Sequence, residues 1–159
     1  MLTEVYPGLY VAGIEHCPLT YRRNEDWAGI VHACKDPCHA RVVGHRVAKD
    51  DPQYLWAERP VDLWLNMIDP PVPLFKAELF NKALDFISER IQKGRVLVHC
   101  NEGLSRAPTI ALVWLAKRAR MLPVENYQDA RVAFESKMPD YAPGLGIQIF
   151  LRGHWEEVG

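Results

Sequence analysis

The residues with most to offer chemically lie in one stretch, Val96-Leu97-Val98-His99-Cys100-Asn101-Glu102-Gly103-Leu104-Ser105-Arg106-Ala107-Pro108-Thr109. A β-branched, apolar run ends at His99. An apolar helical run opens after Arg106, with Pro108 in its first turn, where a missing N–H costs nothing. Strand, tight loop and helix in that order aim backbone N–H groups and the positive end of the helix dipole at one point, which makes an anion site. Gly103 permits the positive φ that a curled loop needs. Arg106 offers a planar fork to two oxygens of an oxyanion. Cys100 lies at the floor of this cradle, and the groups that attract an anion also favour its thiolate, the nucleophilic form of cysteine. His99 falls under the loop, where its ring can hydrogen-bond the backbone and hold the sulfur in position.

These residues resemble the signature of the cysteine-dependent protein tyrosine phosphatases: His-Cys, five residues, then Arg. The form His99-Cys100-x-Glu102-Gly103-x-Ser105-Arg106-x-Pro108-Thr109 is similar to the dual-specificity branch in particular. The resemblance runs from about Glu4 to Trp155. It takes in the opening Val5-Tyr6-Pro7-Gly8-Leu9-Tyr10-Val11-Ala12-Gly13, the strand ending at Cys34, the Leu74–Lys93 helix and the closing helix, in matching order.

The resemblance implies a division of labour. Cys100 is the nucleophile and Arg106 binds phosphate together with Asn101, Glu102, Gly103, Leu104 and Ser105, while His99 and Ser105 support the loop. Cleaving a phosphomonoester also needs a proton for the departing oxygen. In the family an aspartate on an upstream loop supplies it, and Asp69, 31 residues before Cys100, is placed for that role. Asp62 is the rival, but it opens an apolar strand and is expected to face solvent. The implied reaction runs through a phosphocysteine and requires no metal or other cofactor. Substrates follow as phosphotyrosine, and phosphoserine or phosphothreonine, in proteins. Phosphoinositide or RNA 5′-phosphate hydrolysis, or phosphoprotein binding without turnover, are the alternatives; a rhodanese-like sulfur transferase gives no reason for the Asp69 loop. One departure from the family pattern is Ala107, where a serine or threonine often helps the thiolate leave, so breakdown of the intermediate is expected to be slow. Cys34 matches a cysteine that pairs with the catalytic one in relatives acting on lipid phosphates, which implies a reversible Cys34–Cys100 disulfide.

Positioning this loop requires a sheet with helices packed on it. Glu4–Gly13 reads as two short strands about a Pro-Gly turn, Gly29–Cys34 and Val61–Met67 as strands, and Val96–His99 as a strand buried on both faces. Ile68–Pro73 carries three prolines and is a stiff loop. Phe75, Leu79, Ala83, Ile87 and Ile91 recur every four residues, which predicts a helix over Leu74–Lys93 stopped by Gly94. Further helices are predicted over Ala107–Arg120, Val124–Ser136 and Leu145–Glu157, while Lys35–Pro60 reads as irregular and charged. Alternating strands and helices give an α/β fold, a central mostly parallel sheet of about five strands flanked by helices, in one catalytic domain over residues 1–159.

Composition narrows the partners. The chain has 159 residues, 48% hydrophobic, with 19 basic against 20 acidic side chains, a net charge of −1. Ordinary apolar content excludes disorder, and the near-zero charge supplies no field for nucleic acid or an anionic membrane. Ile110–Ala116, the longest strongly apolar run, is far short of the roughly 20 residues of a membrane span. No secretory leader is evident at Met1-Leu2-Thr3-Glu4 and the four cysteines are irregularly spaced, so a reducing, cytoplasmic location is expected, with no stable membrane association. Cys34-x3-Cys38-His39, with His32 and His45 nearby, lacks the second ligand pair of a zinc motif and reads as core or loop cysteine. Arg41, Arg46 and Lys49 are candidates for a second phosphate, and Trp56 for the pocket wall. The sequence leaves the oligomeric state open.

Overall fold

A computed structural model describes residues 1–21 and 25–159. Among these, six strands form one sheet: β1 (Leu2–Tyr6), β2 (Leu9–Ala12), β3 (Gly29–His32), β4 (Trp56–Glu58), β5 (Asp62–Leu65) and β6 (Val96–His99). Their spatial order is β1-β2-β6-β3-β5-β4. The four inner strands run parallel, and β1 and β4 are antiparallel edges. The Pro7-Gly8 turn joins β1 to β2, with Gly8 at φ 87°.

Register brings the chemistry to one level. Ala12 and His32 both pair with His99, and His32 pairs with Trp64, so four strands end together at the carboxyl edge of the parallel sheet. Alternation then sorts the side chains. Val11, Val31, Leu63, Val96 and Val98 face the main core, whereas Leu97, Ala12, Ile30 and Trp27 pack on the opposite face.

The long helices gather on the core face. They are α3 (Ala77–Arg90), α4 (Arg106–Lys117), α5 (Tyr127–Phe134) and α6 (Leu145–His154), following the short α1 (Pro18–Tyr21) and α2 (Ala40–Val43). In α4 every residue from Ala107 to Ala116 is buried, as its all-round apolar sequence requires. Each buried Ile, Leu or Val there contributes roughly 1.5–3 kcal/mol relative to exposure. The other face is covered by Trp27, α2 and the bent segment Lys35–His39, whose Cys38 packs with Cys34, Ala57 and Trp64.

Two differences from the sequence reading stand out. The sheet has a sixth strand, β4, within the stretch read as irregular: three residues hydrogen-bonded only to β5 carry no periodicity to detect. The predicted Leu74–Lys93 helix starts at Ala77, because Lys76 is extended.

Candidate active site

The loop after β6 curls as its sequence demands. Gly103 has φ 80°, and a Cβ there would meet Gly13 N at 2.6 Å and Ala12 C at 2.7 Å, so both the conformation and the close approach exclude a side chain. In return the Gly103 N–H reaches Cys100 Sγ at 3.2 Å. The loop is tied at both ends: Ile14 N–H donates to Asn101 O at 3.1 Å and Ala142 N–H to Leu104 O at 2.8 Å. Thr109 donates its hydroxyl to Ser105 O at 2.6 Å and joins a buried chain through Tyr141 to Tyr127. Burial pushes both tyrosine hydroxyls up, so they remain neutral links.

Arg106 is fixed through both terminal nitrogens of its guanidinium. One terminal nitrogen donates to Met67 O at 2.9 Å and the other to Asn101 Oδ1 at 2.6 Å. Its buried Nε has no hydrogen-bond partner among the described residues. An orphaned buried donor costs about 1–3 kcal/mol, which an anion's oxygen relieves. Asn101 orients the guanidinium and in turn donates to Asp36 O at 3.2 Å.

Asp69 joins Cys100 and Arg106 in the wall of one cavity of about 310 Å³, together with Asn101, Glu102, Leu104, Ser105, Ala142 and Gly144. The pocket is small, matching a compact anionic group more than an extended apolar ligand. Ala142 and Gly144, between the predicted helices Val124–Ser136 and Leu145–Glu157, escaped the sequence reading. Gly144 packs directly against the Asp69 carboxylate: a Cβ there would collide with Oδ1. Its N–H donates to Ser105 Oγ at 2.9 Å, so one glycine links the phosphate-type loop to the acid. A glycine at the start of a helix, just after a proline, was the available signal.

Beneath the loop the structure reverses the expectation for Asp62. Its carboxylate does not point to solvent; Oδ1 lies 2.8 Å from His32 Nε2, with the side chain only 18% exposed. His32 Nδ1 lies 2.7 Å from His99 Nε2, and His99 Nδ1 faces the Cys100 carbonyl at 3.3 Å. Burial draws His99 down to about 4, so it is neutral across the physiological range. Trp64 stacks on His32 at 5.2 Å between centroids.

The remaining candidates do not line this cavity. Cys34 packs with Cys38 and Trp64, whereas Cys100 belongs to the main core. The Cys34 thiol touches Asp36 O at 3.1 Å. Hydrogen bonding from Cys38 draws Cys34 down to about 7, and the same shared proton pushes Cys38 up. Lys49 lines a separate cavity with Lys35, His39 and His45. Trp56 lies on β4 with Lys82 over its ring. No helix among the described residues is long and apolar enough to cross a membrane.

Comparison with known proteins agrees with this geometry. The family model described as dual specificity phosphatase, catalytic domain, matches residues 63–144. A probable dual specificity protein phosphatase of Dictyostelium discoideum is 25% identical over 143 residues, 89% of this chain and 31% of that protein. Dual specificity protein phosphatase 5 of Rattus norvegicus is 51% identical over 50 residues, 31% of this chain and 13% of that protein. The chain thus spans about a third or less of the curated relatives it matches. Among solved structures, DUSP15 superposes with a TM-score of 0.66 at 22% identity, covering 97% of this chain and 86% of that one. A leucine rich repeat and phosphatase domain containing protein from Entamoeba histolytica gives 0.68 at 16%, covering 98% and 91%. At these identities the superpositions establish the fold.

Proposed function

Because the chain belongs to the dual specificity phosphatase family, we propose that it hydrolyses phosphomonoesters through a phosphocysteine on Cys100, with Arg106 holding the phosphate and Asp69 moving the proton. The observation that carries this reading is the single cavity shared by Cys100, Asp69 and Arg106. In the first step the Cys100 thiolate attacks phosphorus, the P–O bond to the leaving group breaks, and that oxygen takes the Asp69 proton. In the second, water attacks the phosphocysteine, the Asp69 carboxylate takes a proton from it, and the P–S bond breaks to release phosphate and thiolate. Arg106 and the loop N–H groups hold the equatorial oxygens, which is catalysis by positioning and electrostatics.

Residues 1–159 act in this reading as one catalytic unit on phosphotyrosine, and phosphoserine or phosphothreonine, of protein partners in the cytoplasm. His99 and Ser105 hold the loop in shape rather than contact phosphorus. The test is p-nitrophenyl phosphate and phosphopeptide hydrolysis by wild type, Cys100→Ser and Asp69→Asn. Wild type turns over, Cys100→Ser does not, and Asp69→Asn loses roughly 10²–10⁴ in kcat. An inactive wild type that still binds phosphopeptide defeats the catalytic reading. Faster turnover of phosphoinositide or RNA 5′-phosphate than of any phosphopeptide reassigns the substrate.

A further inference from the structure

Three buried side chains from three separate elements converge below the Cys100 loop. Cys17 follows a short helical turn at Ile14–His16, His32 ends β3 and His99 ends β6. Their exposures are 1%, 0% and 0%. Cys17 Sγ lies 3.7 Å from His32 Nδ1, which lies 2.7 Å from His99 Nε2, and all three donor atoms fall within 4.8 Å of one another. We infer that Cys17, His32 and His99 form a binding site for a zinc-class divalent cation, separate from the phosphate pocket and joined to it through the backbone of His99 and Cys100.

The hydrogen-bond pattern suits a cation at this point. Asp62 accepts at His32 Nε2, so that nitrogen carries its hydrogen; the Cys100 carbonyl accepts at His99 Nδ1, so that one does too. In that tautomeric state the two remaining imidazole nitrogens face each other at 2.7 Å, both as lone pairs available to one cation. A metal ion binds there as the Cys17 thiol gives up its proton to solvent.

The outer contacts are those a metal site requires. Histidine ligands donate their second N–H to a carboxylate or a backbone carbonyl, which fixes the tautomer and the ring, and here Asp62 and Cys100 O fill those two roles. Tetrahedral zinc with Zn–N of about 2.0–2.1 Å and Zn–S of about 2.3 Å places N···N at about 3.3 Å and S···N at about 3.6 Å. Cys17 Sγ is already at that separation from His32 Nδ1, at 3.7 Å, and the imidazoles need to part by about 0.6 Å. Two imidazoles and one thiolate select zinc-class ions over magnesium or calcium, which prefer oxygen.

The experiment uses the full chain with Cys100→Ser, which removes the competing thiol of the phosphate pocket. Cobalt(II) titrated into this protein gives a thiolate-to-cobalt charge-transfer band that saturates at one ion per chain, and zinc bleaches it. Cys17→Ala in the same background abolishes the band, with Cys17→Ser as the near-isosteric check if alanine disturbs folding. Asp62→Asn weakens binding roughly 10–100-fold, while Cys34→Ala and Cys38→Ala leave it unchanged. No stoichiometric band, or a band that survives both Cys17 substitutions in folded protein, overturns the assignment.

Discussion

Asp62 Oδ1 sits 2.8 Å from His32 Nε2, and through His32 and His99 that one carboxylate reaches the carbonyl of Cys100. The chain Asp62–His32–His99 places a negative charge two imidazoles away from the nucleophile and fixes both rings. Asp62→Asn keeps a hydrogen-bond acceptor but loses the charge, so metal-free protein should lose about 1–2 kcal/mol of stability in urea unfolding. The downfield imidazole N–H resonances in proton NMR should shift or vanish with it. Resonances identical in wild type and Asp62→Asn would mean that the charge does not order the rings.

Gly144 sets the place of the acid. Its φ of −61° and ψ of 154° suit alanine, so Gly144→Ala should change stability by no more than about 1 kcal/mol. The added methyl meets the Asp69 carboxylate and pushes it from the cavity. Loss of a positioned acid costs up to roughly 10²–10⁴ in rate, so kcat should fall steeply with KM nearly constant. Circular dichroism and steady-state kinetics on the same preparation check both halves; full activity in a folded variant would remove Asp69 from the role.

What the sequence revealed follows from distance along the chain. Cys100, Gly103 and Arg106 were legible because one seven-residue loop carries them between a strand and a helix whose periods are plain. Asp69 was legible through the family likeness, not from its own surroundings. The His32–His99 contact was not, because it joins residues 67 apart through the parallel register of β3 with β6, which one sequence does not display. Asp62 was misread for the same reason: an acidic residue opening a strand looks solvated until a histidine from the neighbouring strand is placed opposite. Gly144 and Ala142 enter the pocket only when α6 docks against the loop.

Oxidation should follow the packing of the cysteines. Cys34 shares a hydrogen bond with Cys38 and lies with it on the sheet face opposite the main core, which holds Cys100. Hydrogen peroxide, itself reduced to two waters, should take two electrons and two protons from Cys34 and Cys38 and join them, in preference to a Cys34–Cys100 bond. Non-reducing peptide mapping by mass spectrometry reads the partners directly. A dominant Cys34–Cys100 peptide would restore the pairing implied by the lipid-phosphatase likeness.

The second chemical step is where Ala107 matters. When water attacks the phosphocysteine, the sulfur departs as an anion and is helped by any hydroxyl that can donate to it. The contact to Cys100 Sγ is the Gly103 N–H at 3.2 Å. Neither nearby hydroxyl hydrogen-bonds the sulfur: Thr109 donates to Ser105 O, and Ser105 Oγ is turned to accept the Gly144 N–H. Ala107 itself is fully buried in the same cluster as Cys100 and brings only a methyl group. Breakdown should therefore limit turnover, and stopped-flow mixing of substrate with high enzyme should show a burst of leaving group close to one per active site. Ala107→Ser returns a donor; a hydrogen bond to a charged sulfur of about 1.5 kcal/mol corresponds to roughly a tenfold faster steady state and a smaller burst. A linear trace for wild type, with no gain for Ala107→Ser, would place the slow step before the phosphocysteine.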